Sequence, residues 1–133
     1  MPRKMGWIGV DLDGTLAEYT AWKGLEHIGK PIPLMMQRVQ DWIKEGYTIR
    51  IMTARASVEG GAEPVGKWLS KHGLPDLAVT NSKDFEMIEL WDDRAIQVVT
   101  NTGQPIIRPD HFARPKVPLL RDEKGGETCE IVK

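Results

Sequence analysis

The sequence predicts an α/β fold: a doubly wound, mainly parallel sheet of about five strands with helices on both faces. Three observations predict it. Short runs rich in β-forming residues alternate along the chain with stretches at helical spacing, and a strand joined to the next through a helix returns parallel to it. Candidate strands end in carboxylates, a threonine or a lysine, as strands do when they deliver side chains to a sheet edge. A length of 133 residues, with 41% apolar and 28% charged residues, suits one domain with a real core and leaves no room for a two-domain enzyme. Residues 1–107 are expected to form that core, and 108–133 a Pro-rich, charged C-terminal extension.

The first strand is the apolar run around Ile8 and Val10, which stops at Asp11-Leu12-Asp13-Gly14-Thr15-Leu16. From about 17 to 33 no period holds, and Gly, Pro and turn residues surround Tyr19, Trp22 and His27. That segment reads as a long loop or small β-flap leaving the strand and passing over its end. Trp22 has two readings that stay open: stacking on a substrate ring, or packing of the flap against the domain.

Pro33 to Glu45 reads as a helix, with Met35, Met36, Val39, Trp42 and Ile43 at helical spacing, Pro at its start and Gly46 past its end. Tyr47 to Met52 is the second strand, ending at Thr53-Ala54-Arg55. After a small-residue loop with Gly60 and Gly61, a helix over Glu63–His72 turns Val65, Trp68 and Leu69 inward and stops at Gly73 and Pro75. His72 is read as a structural last-turn histidine. Leu77 to Thr80 is a third strand ending in Asn81-Ser82-Lys83, Met87 to Trp91 a fourth ending in Asp92-Asp93-Arg94, and Ile96 to Thr100 a fifth.

Several classes are excluded or unsupported. No apolar run approaches the ~20 residues of a membrane span, and the two cations near the N-terminus are followed by no signal-like apolar stretch, so a cytoplasmic protein is expected. Cys129 is the lone cysteine, which excludes an intramolecular disulfide and argues against a cysteine zinc site. A net charge of -1 with scattered cations offers no basic stripe for a phosphate backbone.

Taken singly, each strand end has a dull explanation as a turn or a solvated charge. Together they do not, because parallel strands place all those ends along one edge. Asp11 with Asp13, Thr53, Lys83, and Asp92 with Asp93 would then share a site. Two unit charges ~4 Å apart repel by about 4 kcal/mol at an effective dielectric near 20, so clustered acids favour a cation among them. Oxygen-only ligands suit a hard octahedral ion, and Mg²⁺ is the natural choice.

Asp-Leu-Asp-Gly-Thr-Leu resembles the first motif of the haloacid dehalogenase superfamily, whose members are mostly phosphatases working through an aspartyl-phosphate. The order Asp-x-Asp, Thr, Lys, Asp-Asp resembles its four motifs over residues 7 to about 100. The resemblance implies a Rossmann-like core and a Mg²⁺-dependent phosphomonoester hydrolase. In it Asp11 is the nucleophile, Asp13 the general acid and base, Thr53 the holder of the phosphoryl group, and Lys83 its neutralising cation. The metal set it implies is Asp11, Asp13 and Asp92, with Asp93 supporting the ion or its water. An acid at Asp13 argues for phosphoester hydrolysis over dehalogenation. Ala54, Arg55 and Trp22 are candidates for holding a further part of the substrate; Arg55 has a second reading as a surface ion pair.

Substrate choice in this superfamily usually resides in a cap inserted after the first or second motif. The flap, one helix and one strand use up residues 14–52, and a loop, one helix and one strand use up 54–82, so no cap domain fits. A bare core tends to act on large substrates or to borrow a neighbouring subunit as a lid. Family members of this size include the phosphatase domain of polynucleotide kinases, and that resemblance implies a nucleotide or a nucleic-acid 3′-phosphate, or another phosphorylated small molecule, as partner, with a homo-oligomer as a further expectation and no membrane.

Other readings explain less. A two-component receiver domain has its lysine last in the chain, whereas Thr53 and Lys83 both precede Asp92 here. An EF-hand loop fails because Gly14 follows the acids and no helix precedes them. A glycosyltransferase with a lone Asp-x-Asp leaves Thr53, Lys83 and Asp92 without a role. A catalytically idle phosphate- or metal-binding module on the same fold is the alternative that the residues leave open.

Overall fold

The computed structural model describes residues 4–106 and the backbone of 120–121 and 127–128. The chain divides into two compact units, Met1–Ala95 and Ile96–Lys133.

The first unit is built on a four-stranded parallel sheet in the order β3-β2-β1-β4, with β1 at Trp7–Val10, β2 at Thr48–Met52, β3 at Ala78–Thr80 and β4 at Met87–Trp91. Helix α1, Pro33–Lys44, joins β1 to β2, and α2, Ala62–Lys71, joins β2 to β3. Both crossings step the same way across the sheet, so right-handed connections set both helices on one face. Their buried stripes, Met35, Met36 and Val39 on α1 and Val65, Trp68 and Leu69 on α2, share one apolar cluster with Ile8, Val10, Ile49 and Ile51. Trp42 of α1 meets Trp91 of β4 with ring centroids 5.0 Å apart, closing that side of the core.

The opposite face of the sheet carries no helix among the described residues of this unit. Alternation turns Trp7 to that side, where the Arg50 guanidinium lies 4.5 Å from the indole centroid. Asp84 accepts from the indole Nε1 at 2.8 Å and from Arg50 at 3.2 Å. The link from β3 to β4 runs to the far edge of the sheet through residues 81–86 with no helix, too short a path to supply a second layer.

The fifth strand expected at Ile96–Thr100 is corrected. In the second unit this stretch folds back on its own neighbour: Val98 bridges Pro105, the Val99 N–H donates to the Gln104 carbonyl at 2.8 Å, and the Ile106 N–H to the Gln97 carbonyl at 2.8 Å. Asn101, at φ 66°, turns the chain between the two arms. Also in that unit, β5 (Leu120–Arg121) pairs antiparallel with β6 (Glu127–Thr128). The rest of the expected extension, with Cys129, lies outside the described residues.

The connections leave no insert of cap size: a flap and α1 lie between β1 and β2, and a short 3-10 helix (Ala54–Ser57) and α2 between β2 and β3. The flap is a narrow antiparallel loop, tied by the Ala17–Pro31 bridge and by the Glu18 N–H donating to the Lys30 carbonyl at 2.8 Å. Gly29 permits this, since a Cβ there would overlap the Glu18 carbonyl. Among the described residues no helix is long and apolar enough to cross a membrane.

Candidate active site

The ladder continues beyond the strands and so fixes the site. Val10 pairs with Ile51 on one side and Trp91 on the other. One residue further, the Asp11 N–H donates to the Trp91 carbonyl at 2.9 Å, and the Thr53 N–H to the Thr80 carbonyl at 2.8 Å. The end of β1 is thereby held beside the end of β4, and the end of β2 beside the end of β3. Asp11, Asp92 and Asp93 meet there, each offering a carboxylate oxygen within 4.8 Å of the others.

Burial pushes the Asp11 carboxyl up to about 8, with the charge of Asp92, a hydrogen bond to Asp93 and the charge of Asp93 adding to it; the Leu12 backbone N–H pulls weakly the other way. Thr15, four residues beyond Asp11 in the turn that follows β1, sits between the acids. Its hydroxyl accepts from the Asp93 N–H at 3.0 Å and lies 3.2 Å from Asp93 Oδ1 and 3.4 Å from Asp11 Oδ2. Gly14, at φ +91°, makes room for this approach, because a Cβ at that position would collide with the Asp93 carboxylate.

Asp13 points elsewhere. Arg55 grips both its oxygens, Nε to Oδ2 at 2.8 Å and Nη2 to Oδ1 at 3.0 Å. The same guanidinium donates to the flap carbonyls of Leu25 and His27, each at 2.9 Å, and lies 4.8 Å from the centroid of the Trp22 ring. Arg55 is 5% exposed, so the surface ion pair considered for it is a buried one. Thr53 is also buried; its hydroxyl oxygen caps the 3-10 helix by accepting from the Arg55 N–H at 3.1 Å. Ala54 beside it is exposed.

The structure does not bring every expected residue together. Lys83 is exposed after β3, and none of the ion pairs among the described residues includes it. The Asp13 carboxylate belongs to the Arg55 pair and stands outside the triad of acids. Trp22 remains 55% exposed on the flap with one face near Arg55. Two contributors escape sequence reading. Thr15 was legible only as a member of the first motif, although its spacing of four from Asp11 is a usable signal. Asp84 holds the loop next to Lys83 through Trp7 and Arg50, an interaction between elements that no local pattern announces.

The donor set fits a hard divalent cation. Three carboxylates converge, no cation of the chain pairs with them among the described residues, and burial, with like charges beside it, pushes the Asp11 carboxyl up so that it favours its proton. A metal ion would displace that proton and remove the repulsion.

No protein-family model and no curated protein matches the chain. Among solved structures, a conserved protein from Bacteroides thetaiotaomicron is similar with a TM-score of 0.55 at 21% identity, over 69% of this chain and 78% of that one. A likeness of that degree shows the fold alone: an α/β architecture of Rossmann-like kind on a parallel sheet.

Proposed function

We propose that the chain is a Mg²⁺-dependent phosphomonoester hydrolase of the haloacid dehalogenase type, acting through a phosphoaspartate on Asp11. The observation that carries this reading is the convergence of Asp11, Asp92 and Asp93 at the ends of β1 and β4. In this reading those three side chains hold the metal, and Asp11 keeps one carboxylate oxygen for attack. Bound Mg²⁺ supplies the positive charge that lets a carboxylate approach a phosphate dianion.

The remaining work falls to the chain. An Asp11 oxygen forms a bond to phosphorus as the bond to the leaving oxygen breaks, and Asp13 gives that oxygen its proton. Water then attacks the phosphoaspartate, Asp13 takes the proton back, and inorganic phosphate leaves with Asp11 restored. Thr53, fixed at the end of β2, steadies the phosphoryl oxygens. Lys83 reaches in from the end of β3 once a phosphate is bound, which the exposure of its side chain permits. The absence of a cap between the strands supports an open site, and with it a nucleotide or a polynucleotide 3′-phosphate as substrate alongside small phosphomonoesters.

A second reading, a catalytically idle metal- or phosphate-binding module, is favoured by one observation: Lys83 makes no ion pair with the acids. Turnover of p-nitrophenyl phosphate separates the two. The hydrolase reading expects Mg²⁺-dependent release of p-nitrophenol, abolished by chelator and in Asp11→Asn; no turnover of this or any nucleotide phosphomonoester would favour the module.

A further inference from the structure

One buried guanidinium connects three parts of the first unit that the chain sequence keeps apart. Arg55 sits just after β2, makes a two-point ion pair with Asp13 two residues beyond the nucleophile candidate, and donates to two carbonyls of the flap. Four of its donor contacts are thus made within 3.0 Å, and the face of Trp22 lies against it at 4.8 Å. Lysine could not reproduce this, since an ammonium has no planar fork to meet a carboxylate at two points while serving two further acceptors.

We propose that Arg55 is a positioning residue that latches the flap to Asp13, so that closure of the flap and orientation of the Asp13 carboxylate are one event. Apart from Arg55, the flap is held by backbone bonds at its base, by the Trp68 indole N–H donating to the Gly29 carbonyl at 2.9 Å and by Ile28 against the core, while residues Glu18 to Lys23 are exposed. A substrate that lifts or reseats the flap must move the guanidinium, and with it the carboxylate that hands a proton to the leaving oxygen. The flap coupling stands on contacts alone; its consequence for proton delivery rests on the hydrolase reading.

The test has two readouts. Lys23 is exposed in the flap and offers a trypsin site there, whereas Lys30 precedes Pro31, a bond that trypsin does not cut. With the whole chain, and each protein held at the same interval below its own thermal midpoint because breaking a buried ion pair destabilises the fold, Arg55→Lys and Asp13→Asn are each expected to speed cleavage after Lys23 by about tenfold or more; unchanged cleavage in both overturns the latch. For delivery of the proton, leaving groups are compared. p-Nitrophenolate departs without a proton, whereas an alkoxide needs one, and general acid catalysis typically contributes 10²–10⁴-fold. Arg55→Lys is therefore expected to lower kcat/KM, which covers the steps up to departure of the leaving group and not the shared hydrolysis of the phosphoaspartate, for an alkyl phosphate by about 100-fold or more and for p-nitrophenyl phosphate by less than about tenfold. Equal losses on both substrates overturn the positioning role. A wild-type protein that hydrolyses neither overturns the hydrolase reading and that role together, and the proteolysis result still decides the latch.

Discussion

A carboxyl that keeps its proton up to about pH 8 makes folding depend on pH in a definite direction. Between the ordinary value of 3.8 and about 8, native Asp11 holds a proton that the unfolded chain has lost, so metal-free stability falls as pH rises through that window. Asp11→Asn removes the ionisable group. In chelator, urea midpoints of the wild type should drop from pH 4 to 8 more steeply than those of Asp11→Asn, and saturating Mg²⁺ should erase the difference in slope. Parallel slopes would show that Asp11 is not buried among charges. Gly14 offers a second probe at this scale. Alanine there combines a positive φ with a Cβ directed into Asp93. Gly14→Ala should cost about 1–3 kcal/mol and weaken divalent binding, as read by denaturation and by metal titration.

At the scale of elements, the network of Trp7, Arg50 and Asp84 ties β1 and β2 to the segment that leads into β4. The Trp7 indole, the Glu86 backbone N–H and the charge of Arg50 hold the Asp84 carboxyl below its ordinary range. Its contribution is therefore present above that range and lost as pH falls through the lowered value. Trp7→Phe keeps a ring beneath Arg50 but removes the N–H, and should destabilise the fold by about 1 kcal/mol in urea denaturation, with Asp84→Asn less acid-sensitive than wild type. The sequence makes the strands and helices legible because each is punctuated: Pro33 opens α1, Gly46 and Gly73 follow the helices, and acids close β1 and β4. It misleads at Ile96–Thr100, where alternating apolar residues announce an extended chain but not its partner, and the Asn101 turn pairs it locally. Arg55 is unreadable for a related reason. Its carboxylate lies on another strand end and its remaining acceptors are backbone carbonyls, which have no sequence signature.

Over the whole first unit, parallel topology is what turns scattered residues into a cluster. Because β1 lies between β2 and β4, Asp11 is legible as a neighbour of both Thr53 and Asp92 as soon as the strands are known to be parallel. The reach of an exposed lysine is not legible in that way, and neither is the choice of helix layer, since the direction of each strand step decides it. The fold rests on the single apolar face: Val39 and Ile51 are fully buried there. Ile51→Ala should cost about 2–4 kcal/mol, measured by denaturation, while Mg²⁺ affinity per folded molecule changes little. The claim on which the rest depends is that Asp11, Asp92 and Asp93 hold one divalent ion. Calorimetric titration of the intact chain with Mg²⁺ tests it most directly. One site per chain, weakened about 10-fold or more in Asp92→Asn and in Asp11→Asn, is the predicted result; no binding, or affinity unchanged in both variants, would contradict it.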